Sequence, residues 1–144
     1  MSKFKSFLAI FFFFCQVIWI SSCKKADIAY SQLTLTNRQS YDFSNGSMHE
    51  LGDGDLYYLC KESHNHFYAN NAGQRGVIDM GDLDDTDLAE VTIPTTGYTR
   101  FSAACAVNHI YISLAQEGEE GHYIIFKVLS MIADTSCTIE WLYK

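Results

Sequence analysis

The stretch HYIIFKVLSMI, from His122 to Ile132, decides the fold class of this 144-residue chain. Extended as a strand, it divides its residues between two faces: Ile124, Phe126 and Val128 on one, and Tyr123, Ile125, Lys127 and Leu129 on the other. Successive side chains of a strand point to opposite sides of the sheet, whereas a helix repeats its apolar residues every three to four positions. The period of two therefore predicts a long β-strand.

Two neighbouring stretches have the same period. HIYISLA (His109–Ala115) precedes the first stretch across an acidic loop at Gln116–Gly121, and CTIEWLY (Cys137–Tyr143) follows it after the turn Asp134-Thr135-Ser136. Consecutive strands joined by short turns pair antiparallel, so the three predict an antiparallel meander. Its apolar face needs a second sheet or barrel closure to cover it. The predicted fold is all-β, either an antiparallel β-sandwich or an open barrel.

The middle of the chain favours short strands divided by turns. Asn45-Gly46 is a strong hairpin turn, the polar stretch Lys61–Asn65 separates two apolar runs, and the acidic span Asp82–Glu90 is expected to hold one short helical turn. The strands predicted in this part are Gln39–Phe43, Ser47–Leu51, Asp55–Cys60, His66–Ala69 and Gly76–Met80.

Residues 1–22 have the layout of a secretory signal peptide. Lys3 and Lys5 precede an apolar stretch from Phe7 to Ile20 that only Gln16 interrupts. A short cationic segment followed by about 7–15 apolar residues directs export, whereas a membrane-spanning helix needs roughly 20 apolar residues. We therefore expect this segment to direct export and then to be removed.

Cys23 is the predicted lipid-attachment residue. Ile20-Ser21-Ser22-Cys23 resembles the lipobox of bacterial lipoproteins, in which an aliphatic and two small residues precede a cysteine that receives a diacylglyceryl group through a thioether. Acyl chains such as palmitate would then anchor the protein in a membrane. We expect residues 23–30 to form the lipid-anchored tether and residues 31–144 to form a single β domain. The alternative is an ordinary signal peptide followed by a chance cysteine.

The charge of the mature chain limits its partners. Removing residues 1–22 leaves eight of the ten Lys and Arg against all seventeen Asp and Glu, a formal charge of −9 with His neutral. Such a charge disfavours nucleic acid and anionic lipid surfaces as partners. The remaining 122 residues suffice for one core and are too few for two domains of usual size.

Three cysteines remain besides the anchor: Cys60, Cys105 and Cys137. Outside the cytoplasm a disulfide can form, but its connectivity cannot be read from sequence, and three reduced, buried thiols are the other interpretation. A further hypothesis makes one of them a catalytic nucleophile. Because the chain has no Gly-x-Ser-x-Gly elbow and no phosphate-binding glycine loop, we expect no catalytic residues and no enzyme activity.

Four histidines are the candidate ligand-binding residues. In a strand, His64 and His66 would share one face and could meet a metal or a heme iron. In a loop they would simply be polar residues, and two histidines alone make a weak zinc site. His109 and His122 flank the acidic loop. They either lie side by side across that loop or stand at strand ends facing water.

A group of aspartates crowds one loop: Asp79, Asp82, Asp84, Asp85 and Asp87. Closely spaced carboxylates can bind calcium, but an EF-hand starting at Asp82 would need Gly at its sixth position and Glu at its twelfth. Asp87 and Ile93 stand there instead. We expect a solvated acidic loop and no metal site.

Two short motifs follow one another in the first half of the chain: Tyr41-Asp42-Phe43-Ser44-Asn45-Gly46 and GDGDLYY (Gly52–Tyr58). They resemble the phe-ser-thr-gly turn, and the strand that follows it, of the heme-binding lipoproteins of the HmuY type from Gram-negative anaerobes. The loop Asn70–Gly76 and the closing strands Tyr123–Lys127 and Ile139–Tyr143 are also similar. The resemblance implies an all-β lipoprotein that binds its ligand between loops at one end.

The chain departs from this family in three respects. Gly54 replaces an aromatic residue of the family motif, the mature chain is much shorter, and no histidine aligns with the paired heme ligands of the family.

The cofactor that the resemblance implies is heme, and the partner that it implies is an outer-membrane transporter or another envelope protein. Lys24 after the anchor, in place of the Asp that resembles an inner-membrane retention signal, favours the outer membrane, on either its periplasmic or its surface face.

Two functions follow as expectations. The first is a lipid-anchored, exported β domain that captures a ligand, with heme as the candidate, and has no catalytic activity. The alternative is a structural or protein-interaction module of a cell-envelope complex with no small-molecule ligand.

Overall fold

The computed structural model describes residues 30–50, 54–62, 64–69, 76–83, 85–98, 102–114 and 122–144. The signal peptide, Cys23, the tether up to residue 29 and the acidic loop Gln116–Gly121 lie outside this part of the chain. The described residues form ten strands and one short 3-10 helix. In chain order these are β1 (Ser31–Thr36), β2 (Gln39–Asp42), β3 (Ser47–Glu50), β4 (Leu56–Lys61), β5 (His64–Ala69), β6 (Val77–Asp82), η1 (Leu88–Glu90), β7 (Ser102–Ala104), β8 (His109–Leu114), β9 (Tyr123–Ile132) and β10 (Ser136–Tyr143).

The strands form two antiparallel sheets of five strands each, packed as a sandwich. Sheet A has the strand order β1-β10-β9-β8-β6, and sheet B has the order β3-β2-β4-β5-β7. The all-β prediction is confirmed, and of its two alternatives the structure is the sandwich. The predicted meander is also confirmed, since β8, β9 and β10 are antiparallel neighbours within sheet A.

Alternating residues of the long strands fill the space between the sheets. Ile124, Phe126 and Val128 of β9 are fully buried there, as the period of two predicts. Phe67 of sheet B meets Phe126 edge to face, with ring centroids 5.0 Å apart. Burying a side chain of this size contributes about 1.5–3 kcal/mol, so these rows hold the two sheets together.

Sheet A is covered on its outer face as well. Residues 85–98 cross that face, and η1 within them agrees with the expected helical turn. Asp87 caps η1 by accepting a hydrogen bond of 2.9 Å from the backbone N–H of Ala89. The buried residues of this second core are Leu88 and Val91 from the covering segment and Ile110, Ile112 and Ile125 from the sheet.

The structure corrects the predicted boundary of the fifth strand. β5 begins at His64 rather than His66, because Lys61 pairs directly with His64 and only two residues connect β4 to β5. Glu62 in this connection has a φ of 53°, the left-handed conformation that tight hairpins require. The polar stretch Lys61–Asn65 is therefore largely strand. The sequence does not predict β1 or β7.

Gly54 lies against the backbone of β2. A Cβ atom at this position would stand 2.8 Å from the backbone N and C of Tyr41, which is closer than side chains approach. The next residue, Asp55, donates its N–H to the carbonyl of Tyr41 and accepts the N–H of Phe43, both at 2.9 Å. This contact requires glycine where the family resemblance would expect an aromatic residue.

The two ends of the sandwich are distinct. The chain enters at Tyr30, and the last residue, Lys144, exchanges two backbone hydrogen bonds with Tyr123 at the same end. The opposite end carries the β1–β2, β4–β5 and β9–β10 turns, and there the N–H of Asp134 donates to Asn65 Oδ1 at 3.3 Å. We call these the entry end and the far end.

Among the described residues, no helix has the length and apolar character needed to cross a membrane.

Candidate functional site

His64 and His66 lie on the outer face of sheet B. Phe67 between the sheets has no exposed surface, and its neighbours on β5 point the other way because side chains alternate along a strand. The register extends this face onto β4, where Tyr57 stands opposite Tyr68 and Leu59 opposite His66. The two histidines therefore share a face, which is the first of the two placements that the sequence leaves open.

The rings on this face form a continuous row of stacked and tilted neighbours. The ring centroids of His64 and His66 are 6.2 Å apart, and those of His66 and Tyr68 are 6.1 Å apart. Tyr68 and Tyr57 lie face to face across the two strands, with centroids 4.8 Å apart and planes inclined by 6°. We call these four residues the ring stack. It begins at Tyr57 on the central strand β4 and runs along β5 from Tyr68 to His64 at the far end of the sandwich.

His64 presents a free ring nitrogen to solvent. Its Nδ1 lies 3.0 Å from the carbonyl oxygen of Glu62, and only a protonated Nδ1 can donate to a carbonyl. In the neutral imidazole, this hydrogen bond leaves the lone pair on Nε2, the nitrogen through which histidine commonly binds metals. The backbone of the tight turn thus fixes which ring nitrogen of His64 could bind a ligand.

His66 carries an unused polar atom. Its Nδ1 is buried and has no hydrogen-bond partner among the described residues. Leaving a buried donor or acceptor unpaired costs about 1–3 kcal/mol. A buried polar atom without a partner needs a reason, and a ligand-binding role for the imidazole would be one.

Tyr57 of the ring stack is uncharged. Burial raises the pKa of Tyr57, and the neighbouring Tyr68 raises it further. The phenol of Tyr57 therefore stays protonated at physiological pH and offers a hydrogen-bond donor.

The geometry suits a flat ligand better than a bare metal ion. The two imidazoles stand side by side, with planes inclined by 27°, so they are not positioned to bind opposite sides of one iron. One nitrogen can ligate while the neighbouring rings offer apolar contact. The part of the chain that the structure describes contains no group of three or more His, Cys, Asp or Glu side chains able to hold a metal ion.

His109 and His122 are not part of the ring stack, and they do not lie side by side. They stand at opposite ends of the β8 strand of sheet A, because the register pairs Leu114 with Tyr123 next to His122. Nδ1 of His109 is 3.0 Å from the Asp79 carboxylate. Nδ1 of His122 is 2.9 Å from the hydroxyl of Tyr143. Both are strand-end residues, the second of the two expected placements.

Sequence reasoning missed His49, the fifth histidine. It lies on β3 and pairs with Ser40, which pairs in turn with Tyr57, so a row across sheet B joins His49 to the ring stack. Its Nε2 is 2.6 Å from the hydroxyl of Ser47. An alternation count over Ser47–Leu51 would have placed His49 on one face, but only the register shows which residues share that face.

Two of the described residues in the aspartate group Asp79–Asp87, Asp79 and Asp87, have separate structural partners. Asp79 binds His109 and accepts the N–H of Gly81 at 2.8 Å. Asp87 accepts the hydroxyl of Tyr30 in addition to capping η1. These carboxylates stabilise the covering segment and its strand, and Asp84 lies outside the described residues.

The three cysteines are free thiols, and Cys60 and Cys137 are buried. Burial raises the pKa of Cys60. A hydrogen bond to Cys105 and burial both raise the pKa of Cys137. A raised pKa keeps most of a thiol protonated and lowers its reactivity toward an external substrate, so these two residues give no support to a catalytic nucleophile.

Comparison of the chain with family models, with curated proteins and with solved structures finds no match. The interpretation of the site therefore depends on the geometry of the ring stack and on the resemblance of the sequence to heme-binding lipoproteins.

Proposed function

We propose that this protein is an exported lipoprotein, anchored through Cys23, that captures heme on the outer face of sheet B without catalysing a reaction. The observation that carries the proposal is the ring stack. Four aromatic rings in succession, one of them an imidazole with a free Nε2, supply aromatic contacts and an iron ligand. Heme is a planar aromatic molecule whose iron takes an imidazole nitrogen.

The position of His64 relative to the proposed lipid anchor supports this proposal. Six residues lie between Cys23 and Tyr30, so these two residues are at most about 25 Å apart when the chain between them is fully extended. The entry end of the sandwich is therefore held near the membrane. His64 lies at the far end, where a ligand can reach it from solution and a partner in the envelope can receive it.

A hemin titration tests the proposal. Titrating hemin into the domain from Lys24 to Lys144 should give a saturable change in the Soret band at one heme per chain. His64→Ala should remove the spectral change of axial ligation. His66→Ala should weaken binding about tenfold, equivalent to roughly 1.4 kcal/mol.

His122→Ala is the matched control, since it removes an imidazole from the entry end of sheet A. It should bind hemin as the unmodified domain does. A non-saturable response, or equal losses in all three variants, would rule out a heme site on the ring stack.

The second candidate function, an interaction module of an envelope complex, is favoured by exposed apolar residues at the far end. β9 continues past β8, and its residues Leu129 and Ile132 are 36% and 63% exposed. An apolar surface on an envelope protein could cover them. Ile132→Lys should then reduce recovery of one reproducible membrane protein in a pull-down, whereas Ser130→Lys on the same strand should not. Equal recovery with both variants would count against this function.

A further inference from the structure

Cys105 and Cys137 bring two sulfur atoms together between the sheets. Cys137 lies on β10 of sheet A with no exposed surface. Cys105 follows β7 of sheet B and is half-buried. Their Sγ atoms are 3.6 Å apart although the residues are 32 positions apart in the chain.

The short distance between the two sulfur atoms distinguishes this pair from Cys60, the third thiol. A disulfide bond is about 2.0 Å long, so closing the gap needs only a small movement of the two side chains. No sulfur–sulfur contact of Cys60 is present among the described residues. Of the three pairings that the sequence leaves open, the geometry singles out one.

We propose that Cys105 and Cys137 form a disulfide that joins the two sheets when the protein is outside the cytoplasm, and that Cys60 remains a free thiol. The redox conditions follow from the proposed export, since disulfides persist in oxidising compartments. The pairing itself depends only on the packing of the two sheets.

The reaction needs a disulfide oxidant, such as an oxidising thiol–disulfide oxidoreductase or glutathione disulfide. Cys105 reaches solvent, so its sulfur attacks the oxidant first and releases one thiol from it, leaving Cys105 in a mixed disulfide. The sulfur of Cys137 then attacks the Cys105 sulfur and releases the second thiol. The protons of the two cysteine thiols end on the two thiols of the reduced oxidant, and two electrons pass from the protein to it.

The bond would restrain the edge of sheet B beside the ring stack. The backbone N–H of Cys105 donates to the carbonyl of Asn65 at 2.7 Å, and Ala104 pairs with His66. A covalent link from Cys105 to β10 therefore ties the strand that carries His66 to sheet A.

Peptide mapping of the oxidised chain tests the pairing. The reduced, purified chain is incubated with glutathione disulfide, its free thiols are alkylated, and it is digested without reductant. The expected result is a linked peptide pair containing Cys105 and Cys137, with Cys60 alkylated and the intact mass lower by two hydrogen atoms. Cys60→Ser should leave this link unchanged, whereas Cys105→Ala and Cys137→Ala should each abolish it.

A link that includes Cys60, or full alkylation of all three cysteines after oxidation, would overturn the proposal. Neither result depends on heme binding or on export, so the pairing is tested separately from the proposed function. In cells, chain recovered from the envelope should carry the link, and chain made without residues 1–22 in the cytoplasm should not. Link-free chain from the envelope would contradict its formation there.

Discussion

Tyr57 and Tyr68 face each other across β4 and β5 with ring centroids 4.8 Å apart, and this pair is the central contact of the ring stack. The two residues stand directly opposite in the register of sheet B. Cross-strand aromatic pairs of this kind contribute about 0.5–1.5 kcal/mol beyond the burial of their area. The pair joins the surface of β4 to the two histidines of β5.

Tyr68→Leu should weaken hemin binding because it removes the ring between Tyr57 and His66. A loss of about tenfold, equal to roughly 1.4 kcal/mol, is expected in the absorbance titration. Tyr68→Phe keeps the ring and should bind within about twofold of the unmodified domain. Equal loss in both variants would show that the hydroxyl, and not the ring, makes the contact.

Asp55→Asn should change the pH dependence of stability. Burial raises the pKa of Asp55 from its ordinary 3.8 to about 6, while the N–H of Phe43 acts in the opposite direction. The folded chain therefore holds the proton more tightly than the unfolded chain. The stabilisation from this group is complete below about pH 4 and is lost as the pH rises through about 6.

Asparagine keeps an oxygen that can accept the N–H of Phe43 and never ionises. The Asp55→Asn variant should be more stable than the unmodified chain at pH 8, by up to about 3 kcal/mol, and similar to it at pH 4. Urea unfolding at pH 4, 6 and 8 measures the difference. A constant difference at all three pH values would show that the carboxyl does not titrate in this range.

Gly54→Ala should destabilise the fold. The added Cβ would lie 2.8 Å from the backbone of Tyr41, and a backbone cannot turn aside as a long side chain can. Overpacking of this kind costs about 1–3 kcal/mol, measurable by thermal or urea unfolding. Ala133→Ser, at an exposed turn, is the control for a small surface change and should have almost no effect. An unchanged midpoint for Gly54→Ala would mean that the β3–β4 connection can move away from β2.

Oxidation of Cys105 and Cys137 should raise the free energy of unfolding. The bond would close a loop of 32 residues, for which restriction of the unfolded chain predicts about 3–4 kcal/mol. Urea unfolding of the oxidised and reduced chains measures this gain, and Cys105→Ala should show none of it. A less stable oxidised chain would indicate that the disulfide distorts the packing of the sheets.

Cys23→Ser should abolish lipid attachment, because a serine hydroxyl does not form the thioether. Metabolic labelling with a palmitate analogue should mark the unmodified chain and leave the variant unlabelled. Cys15→Ser is the matched control, since Cys15 lies in the segment expected to be removed. Label on the Cys23→Ser chain would show that the cysteine is not the anchor.

Alternation of side chains predicts strands well where both faces are apolar. β8, β9 and β10 are close to their predicted bounds because a period of two extends over most of each strand. β7 has only the three residues SAA, so its existence depends on pairing with β5 rather than on any local pattern. β5 starts earlier than predicted because polar residues such as His64 and Asn65 become strand through their pairing with β4.

The candidate site was predictable in part. The spacing of His64 and His66 places them on one face if both lie in a strand, but the sequence did not predict that His64 belongs to the strand. Their neighbours Tyr57 and Tyr68 belong to different strands, and their contact depends on a register that a single strand does not encode. His49 lies on the same face, and its place there also depends on the register between strands.

The sequence by itself determined the all-β class, the meander and the alternation of residues within each long strand, because these follow from the local geometry of an extended chain. Only the tertiary structure decided that Tyr111 faces the other sheet while Ile110 and Ile112 face the covering segment. It also decided that Cys105 lies beside Cys137 and that the ring stack spans two strands. Contacts between residues far apart in the chain depend on how the sheets pair and pack, and no local pattern specifies that choice.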